Sequence, residues 1–197
     1  MTHTQSERQQ IRAQIRRQRQ ALSPLQQQQA AHQVAELALT FPPLAQAKKV
    51  ALFLSFDGEL NTRPLIASLW QRGQQVYLPV LHPFSEGQLL FIRYLPDTPL
   101  VRNRFGIPEP ELNVTELAPL STLDMILVPL VAFDAQGQRL GMGGGFYDRT
   151  LQHWRQQGVL PAGLAHCCQQ VPALPTEQWD IPLPVIITPE KIWQWIE

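Results

Sequence analysis

The chain has few cysteines, no net charge and no long apolar run. Its 197 residues carry a formal net charge of +0, so no global field draws it towards nucleic acid or an anionic membrane. The two cysteines, Cys167 and Cys168, are adjacent, which argues against a disulfide framework. No apolar stretch approaches the ~20 residues of a membrane span, and Arg and Gln at the start do not resemble a signal peptide. We expect a soluble, cytoplasmic protein that binds neither nucleic acid nor membranes.

Several common catalytic and nucleotide-binding motifs are also missing. There is no Gly-x-Ser-x-Gly elbow, and the five histidines show no metal-ligand spacing. No lysine follows the glycines as in a P-loop, and the spacing of the glycines is a poor match to a dinucleotide fingerprint. Nucleophilic hydrolase chemistry and the two common nucleotide folds therefore have no support in the sequence.

The remaining pattern is that of an α/β protein. Short apolar runs predict strands at 50–54, 76–79, 89–94, 125–128, 162–165 and 185–187. Helical patterns cover 5–40, with a break at Ser23-Pro24, and then 64–71 and 147–157. The strand–helix–strand order predicts parallel βαβ units, and residues 96–119 read mostly as loop. Prolines at 182 and 184 place the strand at 185–187 at an edge or give it a late start. No linker divides the chain, so we expect a single domain over residues 1–197.

The most informative segment is glycine-rich and runs from Arg139 to Arg149. Glycines at 141, 143, 144 and 145 lie between a predicted strand and the start of a predicted helix. That layout presents backbone N–H groups to phosphate, and Arg139 and Arg149 can pair with phosphate oxygens. Asp148 can hold a divalent metal. The alternative is a purely structural turn, but the flanking charges favour a nucleotide phosphate site.

Other candidates have plain structural alternatives. Glu59 follows a predicted parallel strand, where ligands bind in open α/β sheets, and could accept hydrogen bonds from a heterocycle. Arg8 and Arg12 share one helix face and could pair with phosphates, although they could equally form a solvated face. Phe105 and Trp179 could stack on a planar ring or simply pack. Taken alone, Asp180 reads as a residue that flanks a helix or strand.

Together these pieces resemble the 5-formyltetrahydrofolate cyclo-ligase (5,10-methenyltetrahydrofolate synthetase) family. The most specific match is Arg-Leu-Gly-x-Gly-x-Gly followed by an aromatic, Tyr and Asp. The resemblance covers the basic N-terminal helix, 53–59, 105–110, 129–134, 141–148 and 179–182.

The resemblance implies a three-layer α/β/α fold with a mostly parallel, Rossmann-like sheet, as in sugar-phosphate isomerases and CoA transferases. It implies an ATP- and Mg²⁺-dependent ring closure of 5-formyltetrahydrofolate to 5,10-methenyltetrahydrofolate. ADP and phosphate are released, and the formyl oxygen is phosphorylated on the way. This route needs no protein nucleophile, which agrees with the motifs that are missing. The resemblance carries no information on oligomeric state, and we expect a monomer.

It also implies roles for particular residues. Catalytic roles fall to Arg139, Tyr147 and Asp148. The folate pocket is implied to contain Leu54, Glu59, Phe105 and Tyr147, and Mg²⁺ is implied to bind Asp148 and Asp180. The implied ATP-binding residues are Arg8, Arg12, Arg139, Leu140, Gly141, Met142, Gly143, Gly144, Gly145, Phe146 and Tyr147.

Two other functions stay open on the sequence alone. The first is a non-catalytic regulator that binds folate or nucleotide on the same fold. The second is a sugar-phosphate isomerase-like enzyme, for which Glu59 is the only obvious general base.

Overall fold

A computed structural model describes residues 3–195 and begins with two helices. These are α1 (His3–Gln20) and α2 (Pro24–Ala38). Ser23 caps α2, since its hydroxyl accepts from the N–H of Gln26 at 3.2 Å while the Gln26 side chain accepts from the N–H of Ser23 at 2.8 Å. The predicted helices and the break at Ser23-Pro24 are confirmed.

Most of the strands that follow form one eight-stranded sheet. The remaining helices are α3 (Pro42–Gln46), α4 (Arg63–Gln71), α5 (Phe146–Leu151) and α6 (Trp154–Gln157). The strands are β1 (Lys49–Ala51), β2 (Gln75–Leu81), β3 (Leu89–Arg93), β4 (Leu100–Arg102), β5 (Pro108–Pro110), β6 (Leu117–Ala118), β7 (Met125–Pro129), β8 (Ala132–Phe133), β9 (Arg139–Leu140), β10 (Leu160–Leu164), β11 (Val185–Ile187) and β12 (Ile192–Gln194).

The sheet is mixed, with a parallel centre. Its order is β12-β11-β10-β7-β1-β2-β3-β6. The run from β11 to β2 is parallel, whereas β12, β3 and β6 pair antiparallel. The chain builds outward from β1 to β2 on one side and from β7 to β10 and β11 on the other. A topological switch point therefore lies between β1 and β7, where open α/β sheets bind ligands.

Helices cover both faces of this sheet. Alternate residues of β7 point to opposite faces: Met125 and Leu127 pack in the cluster that contains α2 and α4, whereas Ile126 and Val128 pack with Leu151 of α5. Trp154 of α6 packs on that second cluster. The three-layer α/β fold is confirmed.

Some local details differ from the predictions. Of the two alternatives for the strand at 185–187, the late start is confirmed, since β11 begins after both prolines; it is not at the edge, because β12 pairs with its outer side. The helix predicted over 147–157 is interrupted at 152–153 and forms α5 and α6. The segment 96–119 is mostly loop, as predicted, but it also contains the β4–β5 hairpin and β6, which joins the main sheet.

The connection from β7 to the glycine loop contains two strands that the sequence analysis did not predict. A second small hairpin, β8 with β9, lies between them, so the glycine loop follows a two-residue strand. Within residues 3–195, none of the helices has the length and apolar character that a membrane crossing requires.

Candidate functional site

A cavity of about 810 Å³ opens at the switch point of the sheet. Leu54 follows β1 and Leu130 follows β7, and both line it, as do Pro79 and Leu81 near the end of β2. Residues of α1, the β4–β5 hairpin, the glycine loop and the segment 177–180 complete the wall. The volume falls in the range of pockets that enclose cofactors and drug-sized ligands.

Nearly all the residues singled out from the sequence meet in this cavity. Those that line it are Arg8, Arg12, Leu54, Glu59, Phe105, Arg139, Gly141, Met142, Gly143, Gly144, Gly145, Phe146, Tyr147, Asp148, Trp179 and Asp180. Two do not line it. One is Leu140, whose side chain is buried in a small core cluster with Ile15, Val131 and Ala132. The other is Arg149, whose guanidinium donates instead to the carbonyl of Gly144 at 2.7 Å.

One end of the cavity carries two arginine–carboxylate pairs. The Arg8 guanidinium donates two hydrogen bonds to Asp180, at 2.5 and 3.0 Å. Asp180 also accepts from the N–H of Glu177 at 2.8 Å. Arg139 donates to Asp148, which accepts a further bond from the N–H of Ile181 at 3.3 Å. Chain segments far apart in sequence thus place two cations and two carboxylates side by side.

One hydrogen-bond donor of the Arg139 guanidinium is unused within the described residues. The Arg139 side chain is buried, and within residues 3–195 its Nε has no hydrogen-bond partner. Burial lowers the pKa of Arg139 from its ordinary value, while the charges of Asp148 and Asp180 oppose that shift. A buried, unsatisfied N–H is costly, and Arg139 is also one of the residues that line the cavity.

The glycine loop is held open beside these pairs. Arg12 Nε donates to the carbonyl of Gly141 at 2.7 Å. Gly143 and Gly145 have φ of +103° and +68°, which side chains disfavour. Within the described chain, no backbone N–H from 142 to 145 donates to another backbone group. The loop therefore offers backbone N–H donors, and Arg12, Arg139 and Arg149 lie beside it.

Glu59 and Tyr147 occupy a less polar part of the wall. Burial raises the pKa of Glu59 to about 7, and the nearby Arg19 charge only partly opposes this. Glu59 accepts a hydrogen bond from the N–H of Phe56 at 3.0 Å. Burial, and then the charge of Glu59, raise the pKa of Tyr147 above its ordinary value, so its hydroxyl stays protonated near neutral pH. Both groups can exchange hydrogen bonds with a neutral heterocycle.

The loop that carries Glu59 is anchored by an arginine–aspartate cluster that the sequence analysis missed. Asp57, with φ of +54°, accepts from Arg16 at 2.6 Å, from Arg19 at 2.9 Å and from Gln20 at 2.5 Å. Arg19 is fully buried and also donates to the carbonyl of Asp57 at 2.8 Å. The Asp57-Gly58 pair is a typical turn signal and was the available clue.

The rest of the wall is largely apolar. Phe53, Leu78, Leu89 and Ile107 contribute to it. Phe105 lies edge-on to Phe146, with ring centroids 6.0 Å apart. The cavity thus has a cationic end suited to a polyanion and a largely apolar end, with the carboxyl groups of Glu59 and Glu109 in its wall, suited to a heteroaromatic ring.

The chain is thus an α/β protein with a cavity at the switch point of its sheet, the place where such folds bind small molecules. The family model of the 5-formyltetrahydrofolate cyclo-ligase family matches residues 4–189. The chain belongs to that family, and it is an enzyme of the ligase class.

Relatives of known name agree. The 5-formyltetrahydrofolate cyclo-ligase of Escherichia coli strain K12 is 59% identical over 181 residues, which span 92% of this chain and 100% of that protein. The Haemophilus influenzae enzyme of the same name is 58% identical and covers 89% and 94% of the two chains. These matches favour the catalytic interpretation over a regulator or a sugar-phosphate isomerase.

Solved structures show the same fold. The 5,10-methenyltetrahydrofolate synthetase of Aquifex aeolicus matches with a TM-score of 0.82 at 29% identity, over 96% of this chain and 93% of that one. A synthetase of the same name from Mycoplasma pneumoniae matches in fold, with a TM-score of 0.73 at 24% identity, over 92% and 98%.

Proposed function

We propose that the chain closes the ring of 5-formyltetrahydrofolate at the expense of ATP and yields 5,10-methenyltetrahydrofolate, ADP and phosphate. The observation that carries the ATP requirement is the buried Arg139, which lines the cavity beside the glycine loop and whose Nε has no hydrogen-bond partner within residues 3–195. A triphosphate would accept hydrogen bonds from this guanidinium and from the loop N–H groups together.

The reaction needs positioning and charge stabilisation rather than a protein nucleophile. The formyl oxygen forms a bond to the γ-phosphorus as the bond to the ADP oxygen breaks. N10 then bonds to the activated formyl carbon and loses its proton. The carbon–oxygen bond breaks, and phosphate leaves with that electron pair.

The cationic end of the cavity would hold the nucleotide. Arg8, Arg12 and Arg139 would bind phosphate oxygens together with residues 141–147. To do so, Arg8 and Arg139 exchange their present carboxylate partners for phosphate. Leu140 would contribute through its backbone, because its side chain lies in the core.

The apolar end would hold the folate. Leu54 and Phe105 would contact the ring system, and Glu59 would accept from its amino groups. Tyr147, which lies in the same wall and stays protonated, would donate a hydrogen bond where the two ligands meet.

The donor set also suits Mg²⁺. The described residues hold no group of three or more metal-ligating side chains, but Mg²⁺ usually binds one or two carboxylates together with substrate phosphates. Asp148 and Asp180 line the cavity and provide those two carboxylates. When bound, the ion would neutralise charge on the transferring phosphoryl group.

A turnover assay tests this proposal. Purified protein with 5-formyltetrahydrofolate, ATP and Mg²⁺ should form the methenyl product, followed by its near-ultraviolet absorbance. Asp148→Asn should lower kcat by about 10²–10³, because a contact that stabilises transferring charge is lost. The exposed Asp97→Asn is the matched control and should behave as wild type. Folded Asp148→Asn with wild-type turnover would contradict the proposed site.

We also propose that the enzyme acts as a cytoplasmic monomer. One chain supplies every residue assigned to the site, and Cys167 and Cys168 are both free thiols. Sedimentation at the assay concentration checks the oligomeric state.

A further inference from the structure

The β4–β5 hairpin forms part of the cavity wall yet has little backbone bonding of its own. Its second strand is Pro108-Glu109-Pro110. Proline has no N–H, so Glu109 is the only residue of that strand with a backbone donor. A two-stranded hairpin is marginal even with a full ladder. Something other than its own strands must therefore fix this hairpin against the sheet.

The Glu109 side chain supplies that link. Its Oε2 accepts from the backbone N–H of Leu81, at the end of β2, at 3.1 Å. The same oxygen accepts from Asn103 Nδ2 at 3.0 Å. One carboxylate oxygen thus joins the main sheet to the first residue of the hairpin tip.

The side chain of Asn103 also forms hydrogen bonds within the hairpin tip, residues 103–107. Its Oδ1 accepts from the N–H groups of Phe105 at 2.9 Å and of Ile107 at 3.1 Å. The side chain of Asn103 therefore sets the backbone on either side of Gly106, which has φ of +73°. Its amide group donates to Glu109 and accepts from the turn at once, which an aliphatic side chain cannot do.

The tip in turn contacts the glycine loop. Phe105 is 50% exposed and has its ring edge-on to that of Phe146. A Cβ on Gly144 would lie 2.8 Å from the Phe146 ring, so this ring packs directly on the loop. A chain of contacts runs from β2 through Glu109, Asn103 and Phe105 to the loop assigned to ATP.

We propose that Glu109 and Asn103 are positioning residues that hold Phe105 against the folate end of the cavity. This inference rests on the proposed function, since it assigns folate to that end. Neither residue is required to touch the reacting atoms. Their role is to keep the tip in the conformation that binds 5-formyltetrahydrofolate.

The test is the equilibrium Kd for 5-formyltetrahydrofolate, measured by calorimetry without ATP, together with KM and kcat. Glu109→Ala should raise that Kd and the folate KM about tenfold, as expected for a lost hydrogen bond to a charged group. The KM for ATP should stay unchanged. Glu109→Gln should bind as wild type, because an amide oxygen can accept both bonds. Asn103→Ala should match Glu109→Ala, since it removes the other side of the same link.

A double-mutant cycle separates positioning through Phe105 from a general structural effect. In a Phe105→Ala background, Glu109→Ala should change the Kd by less than about twofold, because the group that it positions is already gone. The matched control is Glu111→Ala, an exposed carboxylate two residues along the chain, which should leave the Kd unchanged.

Additive effects in the cycle, or a Glu109→Ala protein that binds like Glu111→Ala, would overturn the inference. A wild-type protein that binds 5-formyltetrahydrofolate without converting it would instead contradict the proposed function, and the Kd values would still decide the role of Glu109.

Discussion

Three carboxylates of the cavity differ in what surrounds them. Asp148 and Asp180 each accept from an arginine, whereas Glu59 is held by the backbone N–H of Phe56 and forms no salt bridge within residues 3–195. Burial therefore dominates at Glu59 and raises its pKa to about 7. The sequence places all three near a ligand but contains no local signal for this difference, which arises from residues distant in the chain.

Replacing Glu59 should change the pH dependence of stability. Its folded pKa of about 7 lies above the ordinary value of 4.5. Protonated Glu59 therefore makes its full contribution to the free energy of unfolding below about pH 4.5. This contribution is lost as the pH rises through 7. Glu59→Gln cannot ionise, so its free energy of unfolding should increase relative to wild type between pH 5 and pH 8. Urea unfolding across that range measures the difference.

The control for this experiment is Glu36→Gln, the same chemical change on the exposed face of α2 and away from the cavity. A constant difference for Glu59→Gln would show that burial does not shift this carboxyl group.

At the scale of elements, the sequence predicts those whose local signals agree. Ser23-Pro24 marks the start of α2, and the apolar run at 125–128 marks a central strand, and both are present. The β4–β5 hairpin was not predicted, because prolines flank Glu109 in its second strand and because side chains attach the hairpin to the main sheet. The pairing of β12 with β11 was not predicted, because so short a strand is defined by the partner with which it pairs and not by the pattern of its own residues.

The glycine loop is predictable as an element, but the way it is held is not. Arg149 was expected to face phosphate. Instead, its Nη1 donates to the carbonyls of Gly144 at 2.7 Å and of Gly87 at 3.4 Å. It therefore ties the glycine loop to the turn between β2 and β3.

Removing this tie should affect nucleotide binding more than stability. Arg149→Ala should raise the KM for ATP about tenfold, as expected for the loss of a charged hydrogen bond. The melting temperature should change little, because Arg149 is exposed. Steady-state kinetics with varied ATP provide the measurement. Arg72→Ala, at the exposed end of α4, is the matched control, and equal KM values for the two variants would contradict this role.

At the scale of the whole molecule, the sheet order explains why distant residues converge. Because β1–β2 and β7–β10–β11 build in opposite directions, the segments after β1 and β7 both open at the switch point. Helix α1 crosses to this point, where Arg8 pairs with Asp180 and Arg12 holds the carbonyl of Gly141. The cationic end and the apolar end thus share one cavity, as the proposed reaction between a nucleotide and a folate requires.

The most direct test of this shared cavity is the ratio of ADP released to methenyl product formed by the wild-type enzyme with Mg²⁺ present. The account predicts one ADP per methenyl group and no product when ATP is omitted. Product without ATP, or ADP release that continues without ring closure, would contradict it.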